Sequence, residues 1–293
     1  MVEIASEVFH HIRRIQIQTT RTVDDVLAGA YHSAFKGRGM EFEDVRAYQP
    51  GDEIRSIDWN VTARMHYPYV KNFREERELT VMLVVDASAS TRFGSAVRSK
   101  KNLIAEIAAV LAFSAIKNND KVGLLLFSDR IEQYLPPKKG LRHVLRVIRE
   151  LLVHETSGTG TDLNQALRYL AKVQKRKGVC FLLSDLCCGL DTATVATTAR
   201  RHDLIALAVN DPMDFDLPPM GLARLHDFES GNERWVDTQD PSTRASYAHF
   251  MKGRRESHEH ILRKAGAGFL SISTGESYIH SLRSFFQQRE RRR

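Results

Sequence analysis

Cysteine is scarce in this sequence. The 293 residues include three cysteines, Cys180, Cys187 and Cys188, which stand close together. A disulfide framework needs more cysteines spread along the chain, so we exclude one. Free thiols are typical of a reducing compartment, and we expect a cytoplasmic protein.

Long apolar runs are also missing. Apolar runs such as those at residues 81–85 and 124–127 are far shorter than the about 20 residues that a helix needs to cross a bilayer. The N-terminal residues lack the continuous apolar stretch of a secretory signal. We therefore expect no membrane span.

Several common catalytic motifs are absent as well. The sequence has no nucleotide-binding loop of the form G-x-x-x-x-G-K-S/T and no nucleophile elbow G-x-S-x-G. A phosphatase of the haloacid dehalogenase type would need a second Asp two positions after Asp86, and Ser88 stands there. We expect no enzyme and keep a metal-dependent phosphoester hydrolase as an alternative.

The net charge of +7 raises the question of nucleic-acid binding. Residues 80–210 carry net +8, whereas residues 1–79 carry net −2. Basic clusters include Lys100-Lys101 and the face formed by Arg142, Arg146 and Arg149. No aromatic residues alternate with these clusters and no known reading motif is present, so we treat the clusters as solvated faces. Nucleic-acid binding stays an alternative, and an acidic protein partner explains the same field.

Apolar strands alternate with helical patterns from residue 80 onward. Continuous apolar runs at residues 80–86, 121–128, 179–185, 204–210 and 268–273 are typical of strands buried on both faces. Helical spacing separates them, for example at residues 97–117 and 141–153. This order predicts an α/β fold with a mostly parallel sheet and helices on both faces.

Oxygen-bearing side chains stand where these strands end. Asp86, Ser88 and Ser90 follow the first strand, Asp185 follows the third, and Thr161 lies in a Gly-flanked loop between them. Parallel strands bring their carboxyl ends to one edge of the sheet, so we expect these residues to meet. Oxygen ligands suit a hard divalent cation: Mg²⁺ first, with Mn²⁺ or Ca²⁺ as alternatives. With few carboxylates, such a cation would accept an acidic group from another molecule.

These five residues resemble the metal-ion-dependent adhesion site (MIDAS) of von Willebrand factor A domains, and the resemblance covers about residues 80–275. It implies that Ser88, Ser90 and Thr161 contact the metal. Asp86 and Asp185 would act directly or through water. Such domains often have Gly after the final Asp, where this chain has Leu186.

The segment at residues 37–64 is similar to the signature of a prokaryotic family known as domain of unknown function 58. The family usually has the segment ahead of an A-type domain, and many relatives have transmembrane helices before it, where residues 1–31 of this chain look helical. The resemblance implies a non-enzymatic adaptor of a MoxR-type AAA+ ATPase that assembles or activates other proteins. We divide the chain into residues 1–79, packed on the main domain, and a von Willebrand factor A-like domain at residues 80–293.

The signature segment mixes charges of both signs with aromatic residues. Arg46 and Arg55 alternate with acidic residues such as Asp52 around Trp59. We favour a salt-bridged structural layer around Trp59 over the alternative, a partner-contact surface.

Overall fold

The chain divides into two compact units, Met1–Ala34 with Leu79–Arg293, and Phe35–Glu78. The computed structural model describes residues 28–35, 40–75, 78–95, 98–227 and 231–291. Most of the predicted N-terminal helix, residues 1–27, lies outside these ranges. Its last part is helical and belongs to the larger unit, in which the Tyr31 hydroxyl donates a hydrogen bond to Asp120 at 3.2 Å.

The apolar runs form the strands of a six-stranded sheet in the larger unit. The sheet order is β10-β7-β6-β3-β4-β5, and all neighbours are parallel except β5, which pairs antiparallel at one edge. The strands are β1 Met40–Ala47, β2 Tyr69–Glu75, β3 Thr80–Asp86, β4 Lys121–Phe127, β5 Ile131–Lys138, β6 Val179–Ser184, β7 Asp203–Asn210, β8 Leu222–His226, β9 Glu233–Asp237 and β10 Gly268–Ser273.

Helices cover both faces of this sheet. The helices of the larger unit are α1 Ala28–Ala34, α3 Lys100–Lys117, α4 Leu141–Val153, α5 Leu163–Val173, α6 Thr192–Arg201, α7 Pro241–Lys264 and α8 Tyr278–Arg291, and the smaller unit contains α2 Trp59–Met65. Met82 and Val84 of β3 face a core that includes α5. Alternate β3 residues, such as Leu83, point to the opposite face and are equally buried. The α/β fold predicted from the strand pattern and from the von Willebrand factor A resemblance is confirmed.

Strand β3 lies at the point where the chain reverses its direction across the sheet. The chain continues from β3 to β4 on one side and later returns to β6 on the other. Ligands of open α/β sheets bind at such a switch point, outside the carboxyl ends of the strands. The predicted site residues therefore stand where this topology favours a ligand.

The smaller unit contains an antiparallel pair of strands, β1 and β2, and the short helix α2. Arg46 forms a bidentate ion pair with Asp52 at 2.7 and 2.8 Å, as the salt-bridge interpretation requires. Trp59, however, is 66% exposed. The prediction that a structural layer surrounds Trp59 is wrong, because α2 begins at this residue and its indole ring faces solvent.

None of the helices in the described ranges is both long enough and apolar enough to cross a membrane. The longest apolar helix, α3, is instead buried along most of its length against the sheet. A helix that is apolar all round is typical of a protein core.

Candidate functional site

The turn after β3 brings Asp86, Ser88 and Ser90 together. The Ser88 backbone N–H donates to Asp86 Oδ1 at 2.9 Å, and the Ser88 and Ser90 hydroxyl oxygens are 3.1 Å apart. Asp86 is 2% exposed and Ser88 is fully buried. The turn thus presents one carboxylate and two hydroxyls at the end of the central strand.

The end of β6 completes this cluster. The Ser184 hydroxyl donates to Asp86 Oδ2 at 2.6 Å. Asp185 follows Ser184 in the chain, and the Cys187 backbone N–H donates to Asp185 Oδ1 at 3.0 Å. Four of the five predicted residues, Asp86, Ser88, Ser90 and Asp185, therefore lie in one polar network at the ends of β3 and β6.

Lys100 and Asp214 belong to the same network, and sequence reasoning missed both. Lys100 Nζ lies 2.8 Å from Asp185 Oδ2 and 3.3 Å from Asp214 Oδ2. The Lys100 side chain is 2% exposed. The interpretation of Lys100-Lys101 as a solvated basic cluster is wrong for Lys100, which starts α3 and turns inward to the two carboxylates.

The two buried carboxylates of this network differ in whether a positive charge lies next to them. Burial, together with the nearby Asp185 carboxylate, raises the pKa of Asp86 to about 7, although hydrogen bonds from Ser184 and Ser88 act in the opposite direction. Burial also acts against ionised Asp185, but the Lys100 ammonium outweighs it and lowers the pKa of Asp185. Asp185 has a counter-ion, whereas Asp86 receives hydrogen bonds from neutral donors.

Leu186 occupies the position where A domains often have Gly. Its φ is 54°, in the left-handed region that glycine adopts without steric cost. The Leu186 side chain is 5% exposed and packs in the core, and its backbone N–H donates to Ser184 Oγ at 2.9 Å. Core packing thus offsets a strained backbone next to the site.

Thr161 lies on the loop between α4 and α5, and Glu132 of β5 holds the first part of this loop. The Glu132 carboxylate accepts hydrogen bonds from the Gly158 backbone N–H at 2.8 Å and from the Ser157 hydroxyl at 2.9 Å. The Ser128 hydroxyl donates to it at 2.6 Å. These hydrogen bonds outweigh burial and lower the pKa of Glu132 to about 2.

Two further features fix the position of this loop. The Thr156 hydroxyl donates to the carbonyl oxygen of Ala87, between Asp86 and Ser88, at 2.7 Å. At Gly158 an added Cβ would overlap the side chains of Ser128 and Asp129, so this close approach to the turn after β4 requires glycine. The start of the loop that carries the half-buried Thr161 is therefore held against the turns after β3 and β4.

Asp211, also missed from the sequence, joins two other loops at this edge. It accepts hydrogen bonds from the Ser95 backbone N–H at 2.9 Å and from the Thr274 hydroxyl at 2.7 Å. Ser95 follows the turn after β3, and Thr274 follows β10. This fully buried carboxylate stabilises the loops around the candidate site.

The donor set of the site suits a hard cation. It consists of carboxylate and hydroxyl oxygens, and Asp86 is a buried anion whose hydrogen-bond donors are neutral. In the described part of the chain, no group of three or more His, Cys, Asp and Glu side chains is arranged to hold a metal. A cation here would depend on the hydroxyls of Ser88, Ser90 and Thr161 as well as on Asp86.

The Cys187 thiol shows no sign of reactivity. Burial, with a smaller contribution from Asp185, raises the pKa of Cys187 to about 12, so its thiol is protonated at neutral pH. Cys180, Cys187 and Cys188 form no disulfide bond in the described part of the chain.

Comparison with known proteins decides the family. A family model described as "Protein of unknown function DUF58" matches residues 44–257. The chain belongs to this family. An uncharacterized protein of Mycobacterium tuberculosis is 31% identical over 283 residues, which cover 96% of this chain and 89% of that protein. The uncharacterized protein YeaD of Bacillus subtilis is 28% identical over 133 residues, which cover 45% of this chain and 31% of that protein.

Two solved structures are similar to this DUF58 chain at low sequence identity. The conserved hypothetical protein BatB from Bacteroides thetaiotaomicron has a TM-score of 0.48 and 15% identity, and the match covers 73% of this chain and 99% of that chain. The SpRpn10 VWA domain has a TM-score of 0.41 and 11% identity, and the match covers 72% of this chain and 95% of that chain.

Replacing Glu132 tests whether it holds the Thr161 loop. Glu132→Gln substitutes an N–H₂ donor for one acceptor oxygen, and should lower the free energy of unfolding by about 2 kcal/mol at pH 7. Because the folded-state pKa of Glu132 is about 2, against an ordinary value of 4.5, its contribution is present above pH 4.5 and is lost as the pH falls towards 2. Urea unfolding at several pH values measures both effects.

Glu150→Gln is the matched control, since Glu150 pairs with its exposed neighbour Arg149 on α4. It should change the free energy of unfolding by less than about 0.5 kcal/mol. If both substitutions changed the free energy of unfolding equally at pH 7, Glu132 would not hold the Thr161 loop as described.

Proposed function

We propose that this DUF58 protein is a non-enzymatic protein-binding module that uses a divalent cation, with Mg²⁺ as the first candidate and Mn²⁺ or Ca²⁺ as alternatives. One observation carries the proposal. Asp86 is buried, its hydrogen-bond donors are neutral, and it lies beside the paired hydroxyls of Ser88 and Ser90. A buried anion of this kind favours the binding of a positive charge.

Each residue of the site would have its own role in binding the cation. Asp86, Ser88, Ser90 and Thr161 would hold the cation, and Asp185 would act indirectly, from its position next to Ser184, which donates to Asp86. A bound cation supplies an open coordination position that takes a carboxylate from another molecule. Since Asp86 contributes the one carboxylate without a cationic counter-ion in this network, an acidic group of a partner would complete the charge balance.

We further propose that the partner system includes a MoxR-type AAA+ ATPase and an acidic protein ligand, in the cytoplasm. The basis is the resemblance of residues 37–64 to the family signature, together with net +8 over residues 80–210. The three arginines of α4, Arg142, Arg146 and Arg149, are exposed and form part of this basic surface. Electrostatic attraction of this kind speeds the association of an acidic partner.

The Asp86→Asn variant tests the cation site. The amide keeps the size of the side chain and removes a buried negative charge. In metal-free buffer at pH 8 it should therefore increase the free energy of unfolding by about 1 kcal/mol or more. Millimolar Mg²⁺ or Mn²⁺ should raise the melting temperature of the wild-type protein and leave that of Asp86→Asn unchanged. Differential scanning calorimetry with and without metal measures both effects.

Asp216→Asn is the matched control, because Asp216 is exposed and lies outside the network. It should keep the wild-type response to metal. Ser88→Ala should lose the response. A wild-type melting temperature that does not change with metal, or an Asp86→Asn variant that responds fully, would contradict the proposal.

Capture of the partner tests the binding function. The tagged full-length protein should retain a MoxR-type ATPase or an acidic protein from its native cell extract in Mg²⁺. A chelator or the Asp86→Asn substitution should release it. A duplex DNA probe, titrated near 50 mM salt and above, tests the nucleic-acid alternative through the salt dependence of affinity. Retention that is unaffected by chelator, or salt-dependent DNA binding that is independent of Asp86, would overturn the proposed mode of binding.

A further inference from the structure

Lys100 places a buried ammonium group next to Asp185, one of the predicted site residues. Lys100 Nζ is 2.8 Å from Asp185 Oδ2 and within 3.4 Å of both carboxylate oxygens of Asp214. Its side chain is 2% exposed, and that of Asp185 is fully buried. Burial acts against the ammonium ion, but these two carboxylates outweigh it and raise the pKa of Lys100.

Asp185 is consequently committed to partners within the protein. Lys100 occupies its Oδ2, and the Cys187 backbone N–H occupies its Oδ1. Each oxygen keeps a second lone pair, so a cation coordinated directly by Asp185 would have to share this carboxylate with the Lys100 ammonium. Asp86 has no such cationic partner in its network, since the Ser88 N–H and the Ser184 hydroxyl are neutral.

Asp185 connects Lys100 with the candidate cation position. Lys100 Nζ hydrogen-bonds to Asp185, Asp185 directly follows β6, and Ser184, the last residue of β6, donates to Asp86 at the end of the neighbouring strand β3. A fixed positive charge on Lys100 repels a second cation bound near Asp86, and the repulsion is stronger in a buried environment than in water. Lys100 also neutralises Asp185, which is the second carboxylate among the predicted ligands and would otherwise help to balance the charge of a divalent ion.

We propose that Lys100 is the resident cation of this site, which holds Asp185 in place without metal and weakens the binding of a divalent ion. The proposal rests on the proposed function, because it concerns the regulation of the same site. By pairing with Asp185, Lys100 links the start of α3 to the loop after β6. It also leaves a divalent ion dependent on a carboxylate from the partner.

The experiment compares four full-length proteins: wild type, Lys100→Met, the double variant Lys100→Met/Asp185→Asn, and Lys101→Met as the control on the same helix. Titration calorimetry with Mn²⁺ alone gives the Kd, and scanning calorimetry in chelator gives the metal-free melting temperature. The double variant removes the pair as a neutral unit, so it should fold even where the single variant folds poorly without metal.

Lys100→Met should bind Mn²⁺ at least tenfold more tightly than wild type, and its metal-free melting temperature should be lower. The double variant should bind Mn²⁺ within about threefold of wild type, because Asp185 is not a direct ligand. Lys101→Met should match wild type in both measurements.

The outcomes separate this proposal from the proposed function. Binding to Lys100→Met but not to wild type would support the role of Lys100 and refute metal dependence of the natural protein. Binding to wild type that is equal or stronger than to Lys100→Met, or loss of binding in the double variant, would overturn the role of Lys100 alone. Absence of binding in all four proteins would overturn both.

Discussion

Two buried carboxylates, a third that is half-buried, and one buried ammonium lie together at the carboxyl edge of the sheet, and the rest of the site depends on which carboxylates this ammonium contacts. Lys100 contacts Asp185 and Asp214 and leaves Asp86 with neutral hydrogen-bond donors. Burying an ion without a counter-ion is costly, because the protein interior solvates charge poorly. The fold accepts this cost at Asp86, which is the observation that favours a bound cation there.

The sheet topology explains why this charge imbalance arises at one place. Residues from the ends of β3 and β6 and from the loop after β7 meet at the switch point beside β3. Carboxylates outside the network then fix the surrounding loops: Glu132 holds the loop that carries Thr161, and Asp211 joins Ser95 to Thr274. Glu132 and Asp211 each accept several hydrogen bonds, so they stabilise the loops around the site. Asp86 remains the carboxylate of the network that has no cationic partner.

The architecture and the strand-end residues could be predicted from the sequence, because both depend on local patterns. A continuous apolar run such as Thr80–Asp86 indicates a strand buried on both faces, and the position of Asp86 and Asp185 at strand ends predicts that they meet. The burial of Lys100 could not be predicted in this way. Its surroundings resemble a solvated basic cluster, and its partner Asp214 stands more than a hundred positions away in the chain.

The same limit applies to Glu132 and Trp59. Nothing near Glu132 in the sequence shows that a loop more than twenty positions later will fold over its carboxylate. A tryptophan among charged residues suggested a packed layer, yet α2 begins at Trp59 and leaves its side chain exposed. Polar contacts over long sequence separations depend on tertiary structure, and periodicity carries no signal for them.

The most direct test of cation binding beside an intact Lys100–Asp185 pair is a crystal structure of the protein soaked with Mn²⁺, with anomalous scattering used to locate the ion. We predict one anomalous peak within coordination distance of Asp86, Ser88 and Ser90, with Lys100 still bonded to Asp185. A peak coordinated by Asp185 with Lys100 displaced, or no peak at this edge of the sheet, would contradict the proposed cation site.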